Sequence, residues 1–252
     1  MSLFSRLLFP PKCAVCGELF SIDVSEEIAL CEECRKKWDN ELLETCGICA
    51  CKIGECLCLT EQMSRARIAS FSKLTYYYPQ KRGNIQNELI YILKKSRNRR
   101  ALRFLGTLLG DRVKALIKTE SLSPDGVILT YIPRSHAARL EYGTDQAMEL
   151  AKGISRTTGI PCHRLLRRKW GQNRSQKHLG GVQRYQNAKR SYTVDQKAKD
   201  LINGKTVILV DDLVTTGVSM SVCARLLSKM GARAVHSVAV SSDIINRDRI
   251  SG

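Results

Sequence analysis

Thr206-Val207-Ile208-Leu209-Val210-Asp211-Asp212-Leu213-Val214-Thr215-Thr216-Gly217-Val218-Ser219 is the segment that orders the reading of this chain. Val207 to Val210 are apolar without interruption and mostly β-branched, which predicts a strand buried on both faces, as in a parallel sheet. Two carboxylates follow, then a turn of small hydroxyls and a glycine. An apolar-periodic run to Met230 then sets Val218, Val222, Leu226 and Met230 on one helical face. This order places the turn outside the carboxyl end of a strand, where open α/β sheets bind ligands. A helix starting near Gly217 offers unpaired N–H groups and a partial positive charge, which suit a phosphate. Asp211 and Asp212 repel a phosphate and suit sugar hydroxyls, or a magnesium ion held among oxygens.

A polyanion with a hydroxylated sugar at its centre satisfies both halves of such a site. Val207 to Ser219 resembles the signature by which type I phosphoribosyltransferases bind phosphoribosyl pyrophosphate, PRPP. The resemblance implies that Asp211 and Asp212 contact the ribose and carry the chemistry. It implies that Thr215, Thr216, Gly217 and Ser219 take the 5′-phosphate and that Leu213 and Val214 belong to the PRPP-binding stretch, with Mg²⁺ accompanying PRPP. The rival phosphate loop G-x-x-x-x-G-K-[ST] is absent, and no G-x-G-x-x-G follows a strand.

Working outward, Val127 to Ile132 predicts a second buried strand. It is broken by Pro133-Arg134-Ser135-His136 and followed by a helix from near Asp145 through Ile154. That loop is the natural seat of a pyrophosphate, held by backbone N–H groups with Arg134 nearby. A short strand is expected at Cys162–Leu166, another at Arg233–Val240, and a polar tail from Ser241. Upstream, helices are expected from Asn84 and from about Ala101. Residues 61 to 82 read as a connector that becomes a strand or two. Strands alternating with helices predict an α/β fold of the type I phosphoribosyltransferase kind, a mostly parallel sheet flanked by helices.

Nine of the eleven cysteines fall between Cys13 and Cys58. Clustered thiols in a reducing compartment point to metal, and Cys13-x-x-Cys16 with Cys31-x-x-Cys34 has zinc-ribbon spacing. Cys46, Cys49, Cys56 and Cys58 would make a second site, with Cys51 left over or substituting. One or two zinc ions are expected, with an iron–sulfur cluster as the alternative. The organisation expected is a zinc-ribbon module over 1–60, a connector and helical segment over 61–125, and the sheet domain over 126–252.

The formal net charge of +17 argues for anionic partners: nucleotides, PRPP or nucleic acid. Arg164 to Arg190 holds nine Lys or Arg and no acid, and is expected to stay out of the core. It reads either as a lid over PRPP, bringing Gln176 and Arg184 to the ligand, or as a path for single-stranded DNA. No long apolar run or signal peptide is seen, so a cytoplasmic protein without membrane insertion is expected.

The cysteine module ahead of a phosphoribosyltransferase-like domain resembles the ComF family, associated with DNA uptake in competent bacteria. Leu8-Phe9-Pro10, the helix Leu89 to Lys94, Ile132-Pro133, Gly143 with Gln146, and the spacing of Gln176, Leu179, Arg184 and Asn187 carry the likeness. Tyr142, Thr144 and Asp145 stand where that family has arginine, phenylalanine and asparagine. The resemblance implies transfer of phosphoribosyl to an acceptor, or a non-catalytic scaffold that binds single-stranded DNA and competence-machinery proteins.

Overall fold

The β-branched run is the inside of a sheet. In the computed structural model, which describes residues 3–78, 83–95, 98–169 and 181–243, four strands lie in one sheet, all neighbours parallel. Along the chain, α1 (Leu3–Leu8) and α2 (Glu32–Glu41) belong to the cysteine-bearing segment. α3 (Glu61–Arg65), β1 (Phe71–Tyr77), α4 (Ile85–Lys95) and α5 (Arg99–Thr119) follow. Next come β2 (Val127–Tyr131), α6 (His136–Tyr142), α7 (Gln146–Thr158), β3 (Leu166–Arg168), α8 (Gly181–Ser191) and β4 (Tyr192–Val194). The chain then runs through α9 (Lys199–Ile202), β5 (Thr206–Val214), α10 (Val218–Lys229) and β6 (Ala234–Asp243). The sheet order is β1-β6-β5-β2, with β3 and β4 as a separate antiparallel pair.

Successive residues of a strand face opposite ways, so β5 builds two cores at once. Ile208 and Val210 join Leu129, Val238 and Val240 under α4, α5 and α7. Val207 and Leu209 join Ile128, Val235 and Ala239 beneath α10, α3 and the β3–β4 pair. On the first face α5 and α7 cross where two glycines meet. A Cβ on Gly106 would lie 3.0 Å from the Gly153 Cα, so any side chain there forces the helices apart. The cysteine segment closes that layer: Trp38 of α2 is fully buried and its ring meets Phe104 of α5 edge-on, at 5.9 Å and 67°.

Five expectations shift. β5 continues through Asp211 to Val214, because β6 pairs with Leu213 and Val214. β6 runs to Asp243 where a polar tail is expected from Ser241; Ser241 and Ser242 are buried because β6 is flanked on both sides, by β1 and β5. The strand expected over Cys162–Leu166 is only a bridge from Cys162 to Leu129, after which Leu166–Arg168 turns away to pair with β4. Part of the basic run does pack: Leu165, Leu166 and Ala188 are buried. Arg167 turns to Asp195, with Nε to Oδ2 at 3.0 Å, and Arg168 lies 5.4 Å from the Tyr192 ring centre. Helix α10 buries a broader face than predicted. Met220, Cys223 and Leu227 join Val218 and Val222, while Leu226 and Met230 stay half-buried, since α3 and α8 cover it as well as the sheet. Among the described residues, no helix is long and apolar enough to cross a membrane.

Candidate functional site

The carboxyl ends of β2 and β5 lie side by side, with the Ile132 N–H donating to the Val210 carbonyl at 3.0 Å. Past that point β5 runs on beside β6 to Val214 while the chain after β2 leaves the sheet at Pro133, and the candidate cleft is the space between these two ends. The loop 133–135 is stapled by Asp145, which caps α7 by accepting from the Met148 N–H (3.4 Å) and also accepts from the Arg134 N–H (3.1 Å). The Arg134 guanidinium thereby reaches across to Asp212, Nη2 to Oδ2 at 3.2 Å, with both side chains mostly shielded. On the β5 side, each aspartate accepts from the next backbone N–H: Asp211 from Asp212 at 2.9 Å and Asp212 from Leu213 at 2.8 Å. The residue Asp211 keeps some exposed surface, yet its carboxyl is packed round by protein. That burial, and then the charge of Asp212, push its pKa well above the ordinary carboxylate value.

Thr215 and Thr216 are exposed, and Gly217 enters α10 with φ +74°, a left-handed conformation that favours glycine. The first turn of α10 presents backbone N–H groups beside the acidic pair. Ser219 lies in that turn, its hydroxyl accepting from Tyr192 Oη at 3.4 Å. Leu213 and Val214 remain within the strand, where they carry backbone and packing into the turn.

The turn has a support that sequence reading passes over. Thr60, the N-cap of α3, is buried, and its hydroxyl donates to the Thr216 carbonyl at 3.2 Å while accepting from the Met63 N–H at 3.3 Å. The α3 segment lies so close that a Cβ at Gly217 would overlap Thr60 Oγ1 and come within 2.8 Å of Met63 Cγ. Gly217 is thus required twice, by its φ and by its neighbour. The signal was Thr-Glu-Gln-Met, a capping residue at a helix start, but nothing local says what that helix touches.

Cys13, Cys16, Cys31 and Cys34 form one group and Cys46, Cys49, Cys56 and Cys58 another, the sulfurs of each lying within 4.8 Å of one another. Tetrahedral zinc with Zn–S bonds of about 2.3 Å needs sulfurs about 3.8 Å apart. The Cys16 and Cys31 sulfurs stand at 3.6 Å, and the sulfurs of the second group are gathered closely enough for the same ion. Cys51 is exposed and outside both groups. The second group has a cation in hydrogen-bond contact: buried Lys73 of β1 points its Nζ at Cys56 Sγ, 3.1 Å away. Four thiolates on a divalent ion leave net negative charge, and a buried ammonium offsets it.

The two loops and the acidic pair therefore come together as the sequence implies. Gln176 lies outside the described residues, and Arg184 falls on α8 with its side chain outside the description. Gln146 is fully buried and donates to the Leu93 carbonyl at 2.7 Å, joining α7 to α4 away from the cleft. His236 is a packed core histidine bonded to Ser70 Oγ at 2.7 Å.

The sequence profile of the phosphoribosyl transferase domain matches residues 145–251. The chain is similar to Competence protein F of Haemophilus influenzae, with 28% identity over 134 residues, which is 53% of this chain and 57% of that protein. It thus spans little more than half the length of that relative. Among solved structures it is similar to the allosteric regulatory enzyme of purine biosynthesis: 20% identity, TM-score 0.37, over 56% of this chain and 26% of the other. It is likewise similar to the glutamine PRPP amidotransferase from B. subtilis, complexed with ADP and GMP: 21% identity, TM-score 0.37, over 56% and 26%. The matched profile, with the parallel sheet and the acidic pair, marks residues 145–251 as a domain of phosphoribosyltransferase type. By its similarity to Competence protein F over about half its length, the chain is ComF-like in sequence.

Proposed function

We propose that the cleft between the ends of β2 and β5 binds PRPP with Mg²⁺ and transfers its phosphoribosyl group to an acceptor. The Arg134–Asp212 pair carries this reading, because it sets a cation for pyrophosphate and a carboxylate for ribose at one spot beside the α10 N-terminus. Asp211 and Asp212 take the ribose hydroxyls. Thr215, Thr216, Gly217 and Ser219 take the 5′-phosphate, and Pro133, Arg134 and Ser135 the pyrophosphate. Gln176 and Arg184 approach from the segment ahead of β4. In the transfer the acceptor's lone pair forms a bond to carbon 1 of the ribose. The bond from that carbon to the pyrophosphate oxygen breaks, and pyrophosphate leaves with the electron pair. Mg²⁺, when bound, offsets the charge of the leaving group. The chain's own part is to fix the sugar and to withdraw Arg134 from Asp212 toward the departing oxygens.

A charge-assisted contact is worth roughly 1.5–3 kcal/mol. Asp212→Asn should therefore weaken PRPP binding by about tenfold or more in a calorimetric titration with Mg²⁺. Unchanged affinity in both Asp211→Asn and Asp212→Asn would remove the ribose assignment. Pyrophosphate release across a panel of bases, amines and DNA tests transfer itself.

The charge of +17, with nine basic residues between Arg164 and Arg190, favours a second reading. In it the PRPP fold serves as a scaffold for single-stranded DNA and competence-machinery proteins. Affinity for an oligonucleotide that falls steeply with salt supports this second reading. We also place the protein in the cytoplasm with zinc in both cysteine groups, since thiols held ready for metal need a reducing compartment.

A further inference from the structure

Toward the C-terminal half of α10, about 12 Å along the helix from Gly217, a cavity of about 450 Å³ lies between α3, α8 and α10. We infer that it is a binding site for a nucleoside polyphosphate. Five cationic side chains line it: Arg65, Arg67, Lys189, Arg225 and Lys229, with no carboxylate among the lining residues. Of these only Arg65 is in an ion pair among the described residues, with Glu61 one turn back on α3. Among the described residues, four of these positive charges have no carboxylate partner, and an anion entering the space relieves their mutual repulsion. Arg67 is held with φ +57°, uncommon for a residue with a side chain.

The rest of the lining is not what a bare phosphate needs. Ala66, Val222, Leu226 and Tyr185 supply apolar surface. Arg225 lies 5.8 Å from the Tyr185 ring centre and is anchored by donating from Nη2 to the Arg65 carbonyl at 2.8 Å. Apolar wall, aromatic ring and a cluster of cations match a planar base joined to a charged phosphate chain. The volume is within the range of small-molecule sites, roughly 300–1,000 Å³. A single aromatic residue and cations gathered round one cavity favour one nucleotide over a strand, which needs a succession of stacking platforms along a groove. Four cations without a carboxylate partner among the described residues match the charge of a triphosphate. The inference is independent of PRPP binding, since none of these residues lies at the acidic pair.

The test is titration of ATP into the full chain with PRPP and Mg²⁺ at saturation, so that the main cleft is occupied. It is repeated without PRPP on Asp211→Asn/Asp212→Asn protein, so that a failure of the PRPP reading leaves the result interpretable. Arg225→Ala and Lys229→Ala, both at exposed positions, should each weaken ATP about tenfold or more and leave PRPP affinity unchanged. Tyr185→Leu should weaken ATP and leave inorganic tripolyphosphate unaffected. The proposal is overturned if ATP affinity is indifferent to all three substitutions. It is overturned equally if tripolyphosphate binds as tightly as ATP, or if an oligothymidylate binds through these residues while ATP does not.

Discussion

Cys13 and Cys16 close a turn in which the Gly17 N–H returns to the Cys13 carbonyl at 3.1 Å, with Gly17 at φ +78°. Cys46 and Cys49 close the same turn, the Ala50 N–H returning to the Cys46 carbonyl at 2.9 Å with Ala50 at φ +58°. From matching knuckles the two four-cysteine groups go on to different surroundings. In the first, Cys31 caps α2 and Cys34 lies on it, and the helix drives Trp38 into the layer of α5. A carboxylate lies beside its sulfurs: Cys16 Sγ and Glu18 Oε2 are 4.0 Å apart. In the second, Cys56 faces the buried ammonium of Lys73, and Cys58 stands two residues before Thr60, which holds the turn at Thr216. Similar cysteine knuckles thus lead to two ends, one completing a hydrophobic layer and the other bearing, through Thr60, on the turn at Thr216.

The largest effect expected is loss of a metal. Structural zinc supplies on the order of 10 kcal/mol of folding energy in small modules. Cys34→Ser and Cys56→Ser should each lower bound zinc by one ion per chain in elemental analysis and lower the thermal midpoint. Only Cys56→Ser should also weaken PRPP, because only the second group leads into the Thr60 contact. Equal loss of PRPP affinity in both variants would erase the difference between the groups.

Next in size is Lys73→Met. Outer partners of a metal site are worth about 10–100-fold in metal affinity. In a chelator competition the wild-type protein should release zinc from the first group, beside Glu18, before the second. Lys73→Met should bring the two release steps together. If the order is unchanged, the ammonium plays no part in holding the second ion.

How much of this was open to the sequence depends on the range of each contact. Val207–Val210 was legible because a strand covered on both sides must be apolar at every position. The order of strand, acidic pair, turn and helix was legible because all four follow one another directly along the chain. The continuation of β5 to Val214 was not, since its partners Ser241 and Ser242 look like tail residues until β6 is seen between two neighbours. Thr60 was hidden for a stronger reason: its partner is 156 residues away. Lys73 carried a weak signal, a lone charge in the otherwise uncharged Phe71–Tyr77, and a strand that buried needs a partner for it.

Asp211→Asn perturbs the cleft directly and separates ligand binding from folding. Burial and the neighbouring Asp212 raise the folded-state pKa of Asp211 above its ordinary 3.8, so the folded chain holds that proton more tightly than the unfolded chain. Stability from this group is therefore present below the ordinary value and lost as pH rises through the raised one. At neutral pH the carboxylate weighs against the fold. Asp211→Asn should raise the midpoint, about 2–4 °C for each 1 kcal/mol, and the gain should vanish near pH 4. The same variant should weaken PRPP about tenfold, a trade of function against stability. A midpoint that falls at neutral pH would show the charged carboxyl to be stabilised where it stands.

Thr60→Val is the smallest change and bears most closely on the comparison. Valine keeps the shape of threonine and its packing on Met63 and Gly217, and removes only the hydroxyl. Two contacts go: the donation to the Thr216 carbonyl and the cap on the Met63 N–H. A neutral hydrogen bond is worth about 0.5–1.5 kcal/mol, so PRPP affinity should fall roughly three- to tenfold. Losing a cap also costs about 1 kcal/mol of stability, which a binding measurement alone cannot separate from a ligand effect. Thr60→Ser settles this, because serine restores both hydrogen bonds while giving up a methyl group. If the hydroxyl positions the turn, Thr60→Ser recovers PRPP affinity and zinc content stays at the wild-type level in both variants. If Thr60→Val loses zinc from the second group as well, the influence runs back through Cys58, and Thr60 belongs to the metal site as much as to the cleft.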